Sequence, residues 1–114
     1  MSALAPKDAK PNALELAILE RLPLAGIPIH IDHLNVVGRE ITGAGSYTTF
    51  STPSDHLSEG RRHVGLDALI EVPGVPNGLG AVLWICGEVA ECLEIYTYDD
   101  DDAWDGSFAG YAIV

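Results

Sequence analysis

Two apolar runs, residues 79–86 and 89–98, are separated only by Gly87-Glu88. That spacing is the signature of a two-residue β-hairpin, and glycine at the first loop position suits a type II′ turn. Because strand side chains alternate between faces, a fixed turn also fixes which residues share a face. An unbroken register sets Cys86 opposite Val89, Leu83 opposite Cys92 and Ala81 opposite Glu94. One face then carries Leu79, Ala81, Leu83 and Ile85 with Ala90, Cys92, Glu94 and Tyr96. The other carries Gly80, Val82, Trp84 and Cys86 with Val89, Glu91, Leu93 and Ile95. Both are largely apolar, as expected of central strands covered on each side.

The remaining elements are arranged around this hairpin. Residues 1–11 are small, charged and proline-punctuated, and read as a loose tail. Asn12 is a fitting N-cap for a helix of about 11 residues, whose apolar positions Leu14, Ile18 and Leu22 recur at helical spacing. Glu15 in the first turn and Arg21 in the last complement the helix dipole, and Pro23 and Gly26 end the element. Residues 27–41 are rich in Ile and Val, but their apolar phase slips, which predicts a bulge or break near Asp32-His33. Gly43-Ala44-Gly45 reverses the chain into a strand over 46–51, with Thr42 placed to bond to the turn backbone. Residues 52–62 read as an exposed loop, and strict alternation over 64–72 as a half-buried strand. A turn-rich stretch over 73–78, an acidic loop over 99–107 and a last strand over 108–114 complete the chain. The expected fold is α+β: one domain over residues 12–114, its N-terminal helix packed on a mostly antiparallel sheet of about six strands. A small barrel plugged by the helix is the alternative.

Charge and cysteine usage narrow the function classes. Among 114 residues, 17 acidic and 6 basic side chains give a net charge of −11. Such a field repels phosphate backbones and anionic membrane surfaces, and steers cationic partners inward. No run approaches the roughly 20 apolar residues of a membrane span, and residues 1–7 lack the apolar core of a signal peptide. In the unbroken register the two cysteines, Cys86 and Cys92, point to opposite faces roughly 10 Å apart along the strand. A disulfide needs Cα atoms within about 7 Å, so both read as free thiols in a reducing, cytoplasmic setting.

Three constellations are candidates for a site. Asp99, Asp100, Asp101, Asp102 and Asp105 surround Trp104, an amphipathic aromatic suited to anchoring a basic protein partner while the aspartates steer its approach. Read as a calcium loop, the segment puts Ala103 at a ligand position and lacks the closing glutamate. Glu94, carried into apolar company beside Tyr96, would line a small-ligand pocket between helix and sheet, with Arg39 as its counter-charge. His30, His33, His56 and His63 lack the spacings of a metal site. Gly43-x-Gly45 precedes a strand rather than a helix, so it is turn chemistry and not a phosphate loop. No nucleophile elbow, catalytic motif or cofactor motif stands out, and neither thiol lies in a basic niche.

Two strings, Arg39-Glu40-x-Thr42-Gly43-x-Gly45-x-Tyr47 with Phe50, and Gly80-Ala81-Val82-Leu83 leading to Leu93-Glu94-x-Tyr96-Thr97-Tyr98 and Trp104, together carry a resemblance. Over residues 30–105 the chain resembles small bacterial proteins of uncharacterised function, some of which look like immunity proteins of contact-dependent or secreted toxin systems. The resemblance supplies no catalytic residues, and with the net charge and the missing motifs a non-enzymatic binder, immunity-like in kind, is the first expectation. The expectation is an acidic protein that masks a cationic protein partner. A ligand pocket or enzyme around Glu94 is a second reading, and a homodimeric or larger self-associating subunit is a third.

Overall fold

The computed structural model describes residues 10–24, 26–27, 29–50, 61–87 and 89–114. The expected loop over 52–62, with His56, and hairpin residue Glu88 fall largely or wholly outside them. Helix α1 spans Ala13–Arg21 and opens on a reciprocal cap: Asn12 Oδ1 accepts from the Glu15 amide, while Glu15 Oε1 accepts from the Asn12 amide, each at 2.8 Å. It stops at Leu22, which is extended (ψ 143°) because the following Pro23 disfavours helical geometry there.

The strands are β1 (Gly38–Ile41), β2 (Gly45–Thr49), β3 (Arg61–Gly65), β4 (Ile70–Val72), β5 (Val75–Cys86), β6 (Val89–Thr97) and β7 (Ala112–Ile113). They form one antiparallel sheet in the order β1-β2-β6-β5-β4-β7, with β3 also paired to β5. The architecture is thus the expected α+β, with seven strands rather than about six. Among the described strands, β1 and β7 end the order without pairing to each other, so the sheet does not close into a barrel.

Three elements depart from expectation. The segment before β1 is not a strand: Ile31–His33 forms a 3₁₀ turn, and Ile27, Ile29, Ile31 and Leu34 pack on the core through a locally bonded, irregular backbone. The strand read over 64–72 is two strands, β3 and β4, laid end to end along one edge of the 12-residue β5. The terminal strand shortens to two residues paired with β4.

The hairpin forms as read at its tip, where Gly87 takes φ +62° and Cys86 pairs with Val89 and Ile85 with Ala90. The register then shifts by one, and Trp84 faces Cys92, Leu83 faces Leu93, Val82 faces Glu94 and Ala81 faces Ile95. Glu91 is the extra residue of a β-bulge. The energetics explain the slip. An unbroken ladder would bury Glu94 against Ala81 and turn Leu93 and Ile95 away from Leu83 and Ala81. Burying two large aliphatics contributes about 1.5–3 kcal/mol each, which outweighs the ladder bond disrupted at the bulge. The shift also moves Cys92 from opposite Leu83 to opposite Trp84; no disulfide joins the two cysteines, Cys86 buried and Cys92 half-buried.

One face of the sheet, carrying Leu79, Ala81, Leu83, Ile85, Leu93 and Ile95, meets Leu14, Ile18, Leu19 and Leu22 of the helical segment in a single core. The helix also contributes a charge to that interface. Glu15 is 2% exposed and holds Arg39 of β1 in a two-point pair, from Nη2 to Oε1 at 2.6 Å and from Nε to Oε2 at 2.9 Å. Thr48 Oγ1 of β2 donates to the same Oε2 at 2.6 Å. Burial alone would push the Glu15 carboxyl up; the bonds from Arg39, Thr48 and the Asn12 backbone outweigh it and hold the group below the usual carboxylate range. The capping box of α1 therefore also fastens helix to sheet.

Candidate functional site

With Arg39 committed to Glu15 on the helix-covered face, the expected trio of Arg39, Glu94 and Tyr96 does not assemble. Glu94 and Tyr96 stand on the opposite face, since Glu94 pairs with Val82 and Tyr47, and Tyr96 with Gly80 and Gly45. That face also presents His63, whose ring lies 5.1 Å from the Trp84 indole. Glu94 is half-buried there rather than enclosed in the core. The buried carboxylate of this strand is Glu91, 6% exposed at the bulge.

Glu94 is held by two neutral donors. Trp84 Nε1 donates to Oε1 at 3.2 Å and the Tyr47 hydroxyl to Oε2 at 3.4 Å. The Glu94 charge, with a smaller contribution from burial, pushes the Tyr47 phenol above its usual value, so it stays a proton donor at neutral pH. Tyr96 is raised too, by burial first and by neighbouring Tyr98 second. Its ring lies across Gly80, where a side chain would collide with it at 2.6 Å, and packs edge-on against Tyr98 with centroids 5.5 Å apart.

The acidic loop is an ordered structure. Asn77 of β5 donates from its side-chain amide to Asp99 at 3.1 Å and to Asp102 at 3.2 Å, and its backbone amide also reaches Asp102 at 3.2 Å. Asp99 Oδ1 accepts from the Asp101 amide at 2.9 Å, and Asp105 Oδ1 from the Ser107 amide at 2.9 Å. That bond from Ser107 holds the Asp105 carboxyl below its usual range. Asp99 and Asp102 are thereby half-buried and occupied, while Asp100, Asp101 and Asp105 face solvent.

Trp104 does not play the part expected of it. It is 5% exposed, its indole N–H donates to the Ser107 carbonyl at 2.8 Å, and its backbone bridges to Gly43. It pins the acidic loop to the β1–β2 turn instead of offering itself to a partner. The turn itself forms as the sequence implies, with Thr42 Oγ1 donating to the Gly45 carbonyl at 3.2 Å and accepting from the Ala44 amide at 3.3 Å.

Two concavities flank this junction. An apolar cleft of about 540 Å³ lies between Ile41, Gly43, the Pro73-Gly74 turn and Trp104. On the other side, a more polar depression of about 230 Å³ is lined by Tyr47, Glu94, Tyr96, Asp100 and the backbone of the turn. Asp100 of the acidic loop and Glu94, from two separate candidates in the sequence, thus line one depression. Among the described residues no three His, Cys, Asp or Glu side chains converge as a metal would require. His30 and His33 lie with Glu20 and Asp32 beside the helix, whereas His63 is on the far face of the sheet. No helix among the described residues is long and apolar enough to cross a membrane. Comparison with family models, with curated proteins and with solved structures gave no match.

Proposed function

We propose that this protein is a non-enzymatic binding protein whose acidic loop receives a basic protein partner. One observation carries the reading: among the described residues no cation forms an ion pair with the aspartates of the loop, whose charge is left uncancelled. Asp100, Asp101 and Asp105 project from a loop fixed by Asn77 and Trp104, which lowers the ordering cost of binding compared with a floppy acidic run. The net charge of −11 adds a long-range field that speeds encounter with a cationic surface. An immunity-like role, in which the acidic surface masks a basic toxin, is the specific form of this reading that the resemblance suggests.

The test is kinetic. With the basic companion isolated from the source cells, exchanging Asp100, Asp101 and Asp105 together for asparagine should slow association about tenfold at low salt. The variant should also show a flatter dependence of the association rate on ionic strength. An association rate and salt slope equal to those of the parent would overturn the assignment of the loop.

A further inference from the structure

Two glutamates, one of the helix and one of the sheet, are handled in opposite ways. On the covered face, Glu15 takes a guanidinium two-point, from the Nε and Nη2 of Arg39. On the other face, Glu94 is oriented by an indole N–H and a phenol O–H, which fix its carboxylate without cancelling its charge. No described cation lies within ion-pair distance of it. Each carboxylate oxygen accepts more than one hydrogen bond, so both retain capacity toward the depression. Asp100 is a second acidic residue lining the depression, and Tyr47, 41% exposed, and Tyr96 supply aromatic surface.

We propose that this depression receives an arginine side chain, with Glu94 accepting from the guanidinium, Asp100 adding negative charge to the lining and Tyr47 and Tyr96 supplying aromatic walls. The site deepens the binding reading above, on which its biological role rests, by naming the side chain that the basic partner inserts. Arginine is favoured over lysine on chemical grounds. A planar guanidinium stacks on aromatic faces and bonds a carboxylate at two points, whereas an ammonium is a strongly hydrated point charge. At about 230 Å³ the depression is sized for one side chain, not for a folded surface.

Arginine amide, lysine amide and norleucine amide, titrated into the ¹⁵N-labelled full chain at low salt, provide a test that needs no partner. Arginine amide should move the amide signals of Tyr47, Glu94, Tyr96, Thr97 and Asp100 together. Lysine amide should bind several-fold more weakly and norleucine amide should leave these signals in place. Glu94→Gln, which keeps an acceptor for Trp84, should raise the Kd for arginine amide about tenfold. Tyr47→Leu should weaken it as well, and Asp101→Asn should not. Equal binding of the two cationic amides, shifts spread evenly over Asp99–Asp105, or an unchanged Kd in both Glu94→Gln and Tyr47→Leu would overturn the site. A basic companion found alongside any of those results would retire the arginine pocket and leave the binding reading standing.

Discussion

Replacing Arg39 with alanine should lower the unfolding free energy at pH 7 by about 3 kcal/mol, because it strips the cation from a carboxylate that is 2% exposed. The guanidinium is itself partly solvated, at 35% exposure, which places the loss at the lower end for a broken buried pair. Arg39→Lys should lose less, about 1–2 kcal/mol, since charge remains but the two-point geometry does not. The gap between parent and Arg39→Ala should also depend on pH. Glu15 sits below its ordinary value of 4.5 in the folded chain, so its pairing contributes fully above that value. The contribution fades as pH falls through the lowered folded value. Protonation of the many surface carboxylates relieves repulsion over the same range in both proteins, so the difference between them isolates Glu15. Urea unfolding followed by tryptophan fluorescence should show a gap widest near neutrality and closing below pH 4.5. A gap independent of pH would mean that Arg39 stabilises by packing alone.

Gly45→Ala should be at least as damaging, about 3 kcal/mol or more, and is the variant most prone to misfold. Gly45 has φ +158°, and a Cβ there would fall on the Ile95 carbonyl oxygen, with the Ile95 carbon and Tyr96 Cα each only 3.0 Å away. These are backbone atoms of the adjacent strand and have no rotamer to retreat into. The two neighbouring turn glycines therefore separate two effects. Gly43 has φ +89° but open space around it, so Gly43→Ala carries conformational strain without collision and should cost about 1 kcal/mol. Similar losses at the two positions, measured by the same urea titration, would show that close approach of β2 to β6 is not what Gly45 provides.

Much of the architecture is legible in the chain because it follows from local chemistry. The Asn12 cap, the Pro23 stop, the Gly43-x-Gly45 turn and the hairpin tip each depend on a residue type with one main structural use. What the sequence does not display is the competition settled by tertiary burial. The hairpin tip sets one register and the aliphatic pattern of Leu83, Leu93, Ala81 and Ile95 another, and the bulge at Glu91 reconciles them. That conflict is visible in hindsight, since an unbroken register sets Glu94 against Ala81. Arg39 lies 24 residues from Glu15, and nothing local distinguishes that partner from Glu94; only the choice of sheet face does. Trp104 is a similar case. Five aspartates around an indole read equally well as an exposed anchor or as a pinned loop, and the bridge to Gly43 decides for the second. That Asp100 and Glu94 line one depression depends on where that pinned loop lands, which is a property of the fold and of no single segment.

The claim that this acidic protein exists to hold a basic one is tested most directly by a native mass spectrum of the protein purified gently, at low salt, from the cells that encode it. The expected result is a species heavier than the 12.1 kDa chain by the mass of a basic polypeptide, and its release when the salt is raised to about 1 M, where charges are screened beyond about 3 Å. A clean multiple of 12.1 kDa, or a bare monomer under the same conditions, would contradict it.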